Sequence, residues 1–337
     1  MSTESFCPPR IIIITLRAEL AERNFFKMFA GNVLNNHSDV GTQIALDIGV
    51  RLILCAFLFC LEAAGRLQAT EQTSAVIPFE YHEGLLWIQV QVPESDRPLN
   101  FLFDTGASVS VINADTAAVL GLTGGDNIDV QAVNATTAGR WPVRMAAKSG
   151  NLALPSKYLS LDLSRLALSC GRPLDGLLGA DFVQGRVVQI NYETHQLCLL
   201  ESAPKAANGD VTMTLKRHND CYLVPATVNG QKRQWLRLDT GCASPLQWVE
   251  TKSHASAKTT SPAIGLAGCL IPQTETSLRL GSEKFDHIPA GLHPRAIFVG
   301  EAGLLGNGLL TRFKTVTIDA KSMRLVLTPF PPARILP

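Results

Sequence analysis

The sequence has no dense block of lysine or arginine. Its 30 basic residues face 29 acidic ones, and the formal net charge is +1. Nucleic-acid binders carry clustered positive charge, so no nucleic-acid partner is expected. There is no C-x-x-C and no H-E-x-x-H, and the seven histidines are scattered. No metal site is expected on that ground. G-x-S-x-G and the P-loop are missing too, which removes the commonest serine-nucleophile and nucleotide signatures. "SAPK" at Ser202–Lys205 has S-x-x-K spacing but lacks the companion motifs of that chemistry, and reads as a loop. The ten apolar residues Leu52–Leu61 are too few for a comfortable transmembrane helix, which needs about 20.

Those ten residues fit another use. "LILCAFLFCL" follows Arg51 and is followed by Ala63, Ala64, Gly65 and, later, Ala69. A charged flank, a short apolar core and small residues make an export signal over residues 48–69, cleaved after Gly65 or Ala69. The expected location is periplasmic or secreted. The alternatives are an uncleaved anchor over residues 48–61, giving transient membrane contact, and a buried apolar strand. Residues 1–47 carry no pattern that assigns them, and Met28 is an alternative start that shortens the leader. Phe59 before Cys60 is a poor context for lipidation. Of eight cysteines, three (Cys7, Cys55, Cys60) lie in this region. The other five, Cys170, Cys198, Cys221, Cys242 and Cys269, are odd in number, so at least one stays unpaired within the chain. Their pairing is open.

What remains is long and apolar enough for one large or two medium domains, with 337 residues and 46% hydrophobic content. Gly (26) and Pro (19) are frequent and punctuate short apolar runs, which reads as all-β.

Within it, "FLFDTGASVS" (Phe101–Ser110) ends an apolar strand on Asp104. A lone buried carboxylate is costly, and a surface turn would be the plain reading. A second copy changes that. "WLRLDTGCAS" (Trp235–Ser244) places Asp239 at the same point, 239 − 104 = 135 residues on. The repeat extends both ways. Upstream, "LLWIQVQV" (Leu85–Val92) matches "CYLVPATV" (Cys221–Val228). Downstream, "DGLLGADFV" (Asp175–Val183) matches "AGLLGNGLL" (Ala302–Leu310). Each copy closes on a hairpin pattern, "VVQINYETHQLCLL" (Val187–Leu200) and "TVTIDAKSMRLVL" (Thr315–Leu327). The chain therefore reads as two related β units, 70–205 and 206–337, joined near "APKAANGD" (Ala203–Asp210).

With two Asp-Thr-Gly and two Leu-Leu-Gly motifs in this order, the sequence resembles the aspartic proteases, both the two-lobed pepsin type and the retroviral type. The resemblance covers nearly everything after the leader. It implies an all-β fold of two β-barrel-like lobes about a pseudo-twofold axis, with a substrate cleft between them. It implies an aspartic endopeptidase that acts on peptide or protein substrates, needs no cofactor or metal, and works as a monomer because both halves are in one chain. Asp104 and Asp239 would be catalytic, sharing one proton between two like charges. Thr105 and Thr240 would hydrogen-bond across the axis. Gly106 and Gly241 would let the backbone turn tightly, and the Leu-Leu-Gly segments would pack beneath the Asp loops. The alternative is a weak or inactive peptide-binding protein on the same scaffold.

Some positions depart from the pattern. Ala107 follows the first motif, as in retroviral-type enzymes; Cys242 follows the second and reads as a small buried substitute for alanine. Each unit offers a flap-like turn, "NATTAGRW" (Asn134–Trp141) and "GLAGC" (Gly265–Cys269), so Gly139, Trp141 and Gly268 are candidate cleft or flap residues. Arg237 precedes Asp239 by two on one strand face. If that face lines the cleft, a subsite gains positive charge and tolerates Asp or Glu in the peptide. Asp181 has Gly308 as its counterpart and is assigned no catalytic role.

Overall fold

The structure is a computed structural model that describes residues 73–132, 135–250, 259–262 and 270–331. The leader, the signal-like segment 48–69, Gly268 and Cys269 lie outside the described residues. Among the described residues, no helix is long and apolar enough to cross a membrane.

The first half forms β1 (Thr73–His82), β2 (Leu85–Val90), β3 (Leu99–Phe103), β4 (Val111–Asn113), β5 (Asp126–Ala132), β6 (Ala135–Arg144), the short β7 (Lys148–Ser149) and β8 (Leu152–Ala153), β9 (Lys157–Leu161), β10 (Gly176–Leu178), β11 (Val187–Asn191) and β12 (Gln196–Leu200). The second forms β13 (Val211–Thr214), β14 (Lys216–His218), β15 (Cys221–Val228), β16 (Gln234–Asp239), β17 (Leu246–Val249), β18 (Thr259–Pro262), β19 (Leu270–Leu280), β20 (Glu283–His293), β21 (Gly303–Gly306), β22 (Phe313–Asp319) and β23 (Arg324–Pro329).

The repeat seen in the sequence returns as topology. In the first half, neighbouring strands run β1-β2-β3-β10-β4-β9-β6-β5. In the second they run β14-β15-β16-β21-β17-β20-β19-β18. Pairing of β15 with β19 closes six of the latter into a barrel. A shared sheet, β13-β23-β22-β11-β12-β1, joins the halves. Its centre is the antiparallel pair β11–β22, where Gln189 faces Thr317 and donates to its Oγ1 at 3.1 Å. The strand composition explains the elements: they are rich in Val, Ile, Leu and aromatics, and short turns of Gly, Asn and Asp separate them.

Side-chain alternation decides what each Asp strand presents. On β3, Phe101 and Phe103 enter the main core, while Leu102 joins a second apolar cluster with Leu85, Trp87, Leu159 and Leu177. On β16, Leu236 and Leu238 enter the main core. The opposite face of β16 therefore carries Arg237 and Asp239, as the opposite face of β3 carries Leu102 and leads to Asp104.

Candidate active site

Each Asp strand is held from beside by its Leu-Leu-Gly strand. β10 pairs in parallel with β3, Leu177 facing Leu102 and Leu178 facing Phe103. β21 pairs in parallel with β16, Leu304 facing Arg237 and Leu305 facing Leu238. The Asp104 amide donates to the Leu178 carbonyl at 2.9 Å. The glycine of each motif is needed for space. A Cβ on Gly179 would stand 2.5 Å from the Val109 carbonyl carbon, and one on Gly306 would stand 2.2 Å from the Ser244 carbonyl oxygen.

The two loops grip each other through their threonines, both fully buried. The Thr105 amide donates to Thr240 Oγ1 (3.0 Å), and the Thr240 amide donates to Thr105 Oγ1 (3.2 Å). Thr105 Oγ1 donates to the Leu238 carbonyl (2.8 Å) and Thr240 Oγ1 to the Phe103 carbonyl (2.7 Å). Four buried hydrogen bonds thus tie the strand that ends at Asp104 to the strand that ends at Asp239.

That grip brings the carboxylates together in a crossed arrangement. Gly106 lies against the Asp239 carboxylate and Gly241 against the Asp104 carboxylate, so close that a Cβ on either would stand 2.4–2.5 Å from the opposite Cγ. Neither glycine has a positive φ. Each stands in the turn that follows its Asp, as expected from the sequence, but that turn needs no left-handed backbone. The requirement is the approach of the other half's carboxylate.

The pair is not symmetric. Asp104 Oδ1 accepts from the Gly106 amide (2.9 Å) and the Ala107 amide (3.2 Å). Asp239 Oδ1 accepts from the Gly241 amide (2.9 Å), while the Cys242 amide donates to the Asp239 backbone carbonyl, a bond the Ala107 amide also makes to Asp104 beside its contact with Oδ1. Burial raises the pKa of both acids. On Asp104 the two amides oppose it. On Asp239 the Asp104 charge adds to burial and lifts the pKa well above the ordinary carboxylate range, with Arg237 opposing. Hydrogen bonds to a charged form favour it, so of the two, Asp239 holds a proton more readily.

Three further groups tie down the loops. Asp181 accepts from the Ser110 amide and Oγ at 3.0 and 2.8 Å, and Ser110 Oγ accepts from the Gly179 amide at 3.1 Å. Its carboxylate braces the Leu-Leu-Gly turn of the first half. Asn307, fully buried, does more in the second. Its Nδ2 donates to the Gly84 carbonyl (3.1 Å) and the Thr240 carbonyl (2.6 Å), and its Oδ1 accepts from the Tyr192 hydroxyl (2.8 Å). The motif pattern alone does not single out Asn307. A signal is there nonetheless: a large amide stands where the other motif has Ala180. Cys242 sits with Sγ 3.1 Å from Ser244 Oγ. Burial pushes its thiol pKa up to about 12, in keeping with an unreactive small side chain.

The carboxylates open onto a cleft of about 520 Å³. Val109, Val130, Leu159 and Leu166 of the first half and Ile271 and Phe298 of the second are among its walls. Val130, Gln131 and Ala132 place the end of β5 on its wall. The flap residues named from sequence fall differently. Gly139 is not in the turn: it lies within β6, opposite Ile128, and a Cβ there would meet Leu159 at 2.9 Å. Trp141 packs beside the second apolar cluster. The pattern of small and polar residues from Asn134 hides a strand, because the Ala, Thr and Gly of β6 pair along β5, from Ala135 facing Ala132 to Gly139 facing Ile128. Gly268, the other flap candidate, lies outside the described residues.

Arg237 also differs from its expectation. It reaches the cleft floor, but its side chain is only 4% exposed and pairs with the Glu301 carboxylate, 1% exposed. Nε and Nη2 donate to the two Glu301 oxygens at 2.7 and 2.6 Å. Glu301 holds the guanidinium from one edge and the Gly106 carbonyl takes Nη1 at 2.7 Å, so the guanidinium is not free to meet an acidic side chain of a peptide.

Among the described residues, no group of His, Cys, Asp and Glu could hold a metal ion.

Two Asp-Thr-Gly loops locked across a pseudo-twofold relation, on two β lobes joined by a common sheet, define an acid-protease fold. Similarity to known proteins agrees. Residues 88–182 match the family described as aspartyl protease. Among solved structures, the chain is similar to the aspartic proteinase from Irpex lacteus, with a TM-score of 0.52 and 12% identity over 77% of this chain and 98% of that one. No curated protein matches the sequence. The fold is that of an aspartic proteinase, and the aspartyl protease match covers the stretch that holds Asp104.

Proposed function

We propose that this protein is an aspartic endopeptidase in which Asp104 and Asp239 activate water for peptide hydrolysis. The observation that carries the reading is the crossed packing of the two carboxylates on Gly106 and Gly241, held by the four threonine bonds. Two carboxylates this close share one proton. The amide count supports Asp104 as the charged member and Asp239 as the protonated one. A water between them loses a proton to Asp104 as its oxygen attacks the peptide carbonyl carbon. Asp239 gives its proton to the carbonyl oxygen, and a tetrahedral diol forms. In collapse, the proton taken up by Asp104 passes to the leaving nitrogen, the C–N bond breaks, and a diol proton returns to Asp239. The apolar walls of the cleft suit an extended peptide with apolar side chains.

Both acids come from one chain, which supports action as a monomer. The signal-like segment 48–69 supports export to the periplasm or outside, with residues 48–61 as the anchor if cleavage does not occur.

The test is cleavage of a diverse peptide library across pH, read by mass spectrometry, for wild type, Asp104→Asn and Asp239→Asn. Cleavage by wild type alone is expected. Folded wild type that cleaves nothing at any pH, or variants that cleave equally well, would overturn the reading. The first result would point to peptide binding without hydrolysis.

A further inference from the structure

At one place beside the carboxylates the two halves differ in a way that runs against ordinary energetics. In the first half, Leu102 on β3 and Leu174, three before the first leucine of Leu-Leu-Gly, belong to one apolar cluster. At the corresponding places the second half has Arg237 and Glu301, a bidentate ion pair almost completely buried. Replacing a buried ion pair by apolar residues is commonly neutral or stabilising. Here the same chain shows that an apolar pair is compatible with the fold at this place. Stability is therefore a poor reason for the ion pair.

Its geometry offers a better one. Arg237 Nη1 crosses between the halves and donates to the Gly106 carbonyl at 2.7 Å. The amide of the same Gly106 holds Asp104 Oδ1. The guanidinium thus rides on the Asp239 strand and holds the Asp104 loop. Glu301 fixes the guanidinium plane from one edge, and the Phe298 ring covers its face with the Arg237 Cζ 3.7 Å from the ring centroid. Cys221 Sγ lies 3.2 Å from Nη1 and also donates to the Gly106 carbonyl at 3.4 Å.

We propose that Arg237, fixed by Glu301 and Phe298, is a positioning residue that clamps the Asp104 loop to the Asp239 strand and supplies the cation that faces both carboxylates. This rests on the endopeptidase reading for its effect on turnover, though not for its effect on the carboxylates themselves. Among the described residues, the charged and titratable groups around the pair are Arg237, Glu301, Cys221 and Cys242, with Glu83 on the wall of the same cleft. Arg237 lowers the pKa of both acids, and both thiols are held protonated by burial. A cation stabilises the singly charged pair against its neutral form and the doubly charged pair against the single one. Removing it should move both limbs of the pH–rate bell to higher pH.

Four variants test this: Arg237→Leu, Arg237→Lys, Glu301→Gln, and Arg237→Leu with Glu301→Leu, which copies the first half. Thermal unfolding reports folding. Carbon-13 NMR titration of the aspartate carboxylates reads the pair without any cleavage, and kcat, KM and pH profiles read its consequence. The double variant is expected to fold like wild type. In Arg237→Leu the carboxylate titration and the bell should shift up by about one pH unit or more, and in the double variant, which also removes the Glu301 charge, by less but in the same direction. Loosening of the loop should lower kcat by roughly tenfold to a hundredfold with KM little changed. Arg237→Lys keeps the charge and should keep the pH profile while losing part of kcat, because a lysine cannot hold Gly106 and Glu301 in one plane. Glu301→Gln leaves the cation uncompensated and should not shift the bell upward. An unmoved titration in the double variant, or an upward shift in Glu301→Gln equal to that in Arg237→Leu, would overturn the proposal. A shifted titration in a wild-type background that cleaves nothing would instead leave the clamp standing and remove the endopeptidase reading.

Discussion

Adding one methyl group at Gly106 tests the site geometry more sharply than removing a carboxylate does. In Gly106→Ala the new Cβ would stand 2.4 Å from Asp239 Cγ and 2.5 and 2.6 Å from its two oxygens. Carbon atoms in ordinary contact stay about 3.5–4.0 Å apart. One side must therefore yield by about 1 Å. The backbone has little freedom to do so, since the Gly106 amide holds Asp104 and its carbonyl is held by Arg237 at 2.7 Å. The Asp239 carboxylate moves instead and strains its 2.9 Å bond from the Gly241 amide. Catalytic groups tolerate roughly 0.5 Å of displacement, and a 1 Å error costs about 100-fold in rate. The expected result is a loss of about 100-fold in kcat/KM. Overpacking should lower stability by about 1–3 kcal/mol. No backbone strain is added, because Gly106 does not have a positive φ. The assay is kcat/KM on one cleaved peptide beside urea unfolding. Wild-type kcat/KM in a folded Gly106→Ala protein would refute the reasoning, since it would mean the opposite carboxylate does not occupy that space.

Other perturbations have equally definite outcomes. Thr105→Val keeps the shape but deletes the donor to the Leu238 carbonyl and the acceptor for the Thr240 amide. Stranding two buried backbone groups should cost about 2–5 kcal/mol in urea unfolding, while Thr105→Ser should stay close to wild type. Asn307→Ala leaves the Gly84 and Thr240 carbonyls and the Tyr192 hydroxyl without this partner; a similar loss of about 2–5 kcal/mol is expected, and a change below about 0.5 kcal/mol would contradict the network's role. Asp239→Asn should change the pH dependence of stability. An acid whose folded pKa is raised binds its proton more tightly in the folded state, so wild type loses stability as pH rises from about 4, the unfolded value, toward the raised folded pKa. The variant should lack that contribution, giving a flatter stability profile above about pH 4; parallel profiles for the two proteins would show that Asp239 titrates normally.

Much of the fold and both acids are legible in the sequence. The repeated Asp-Thr-Gly and Leu-Leu-Gly motifs, with matching strands around them, locate the two halves and the two carboxylates. They are legible because they are local: an apolar run ending in a carboxylate and a small-residue turn needs only neighbours in sequence. The hairpin patterns at Val187–Leu200 and Thr315–Leu327 become β11–β12 and β22–β23 for the same reason. Positions whose role depends on distant partners are the ones the sequence hides. Gly139 sits in a stretch with turn-like composition, yet pairing with Ile128 on the neighbouring strand makes it part of β6. Arg237 reads as a charge for the cleft because Glu301, 64 residues away, carries no local sign of meeting it. Asn307 is not singled out by the motif pattern, because its partners Gly84 and Tyr192 lie far from it in sequence.

The architecture follows from the order of residues alone, because alternating apolar runs and turn residues commit each segment to a strand whichever partner it finds. The placing of two carboxylates at the ends of two equivalent strands follows in the same way. What surrounds those carboxylates comes from the folded arrangement. The crossed approach of each glycine to the other half's carboxylate, the unequal amide count on Asp104 and Asp239, and the buried Arg237–Glu301 pair all arise between groups brought together by the tertiary fold. Their energies depend on distance and burial, which no single segment encodes.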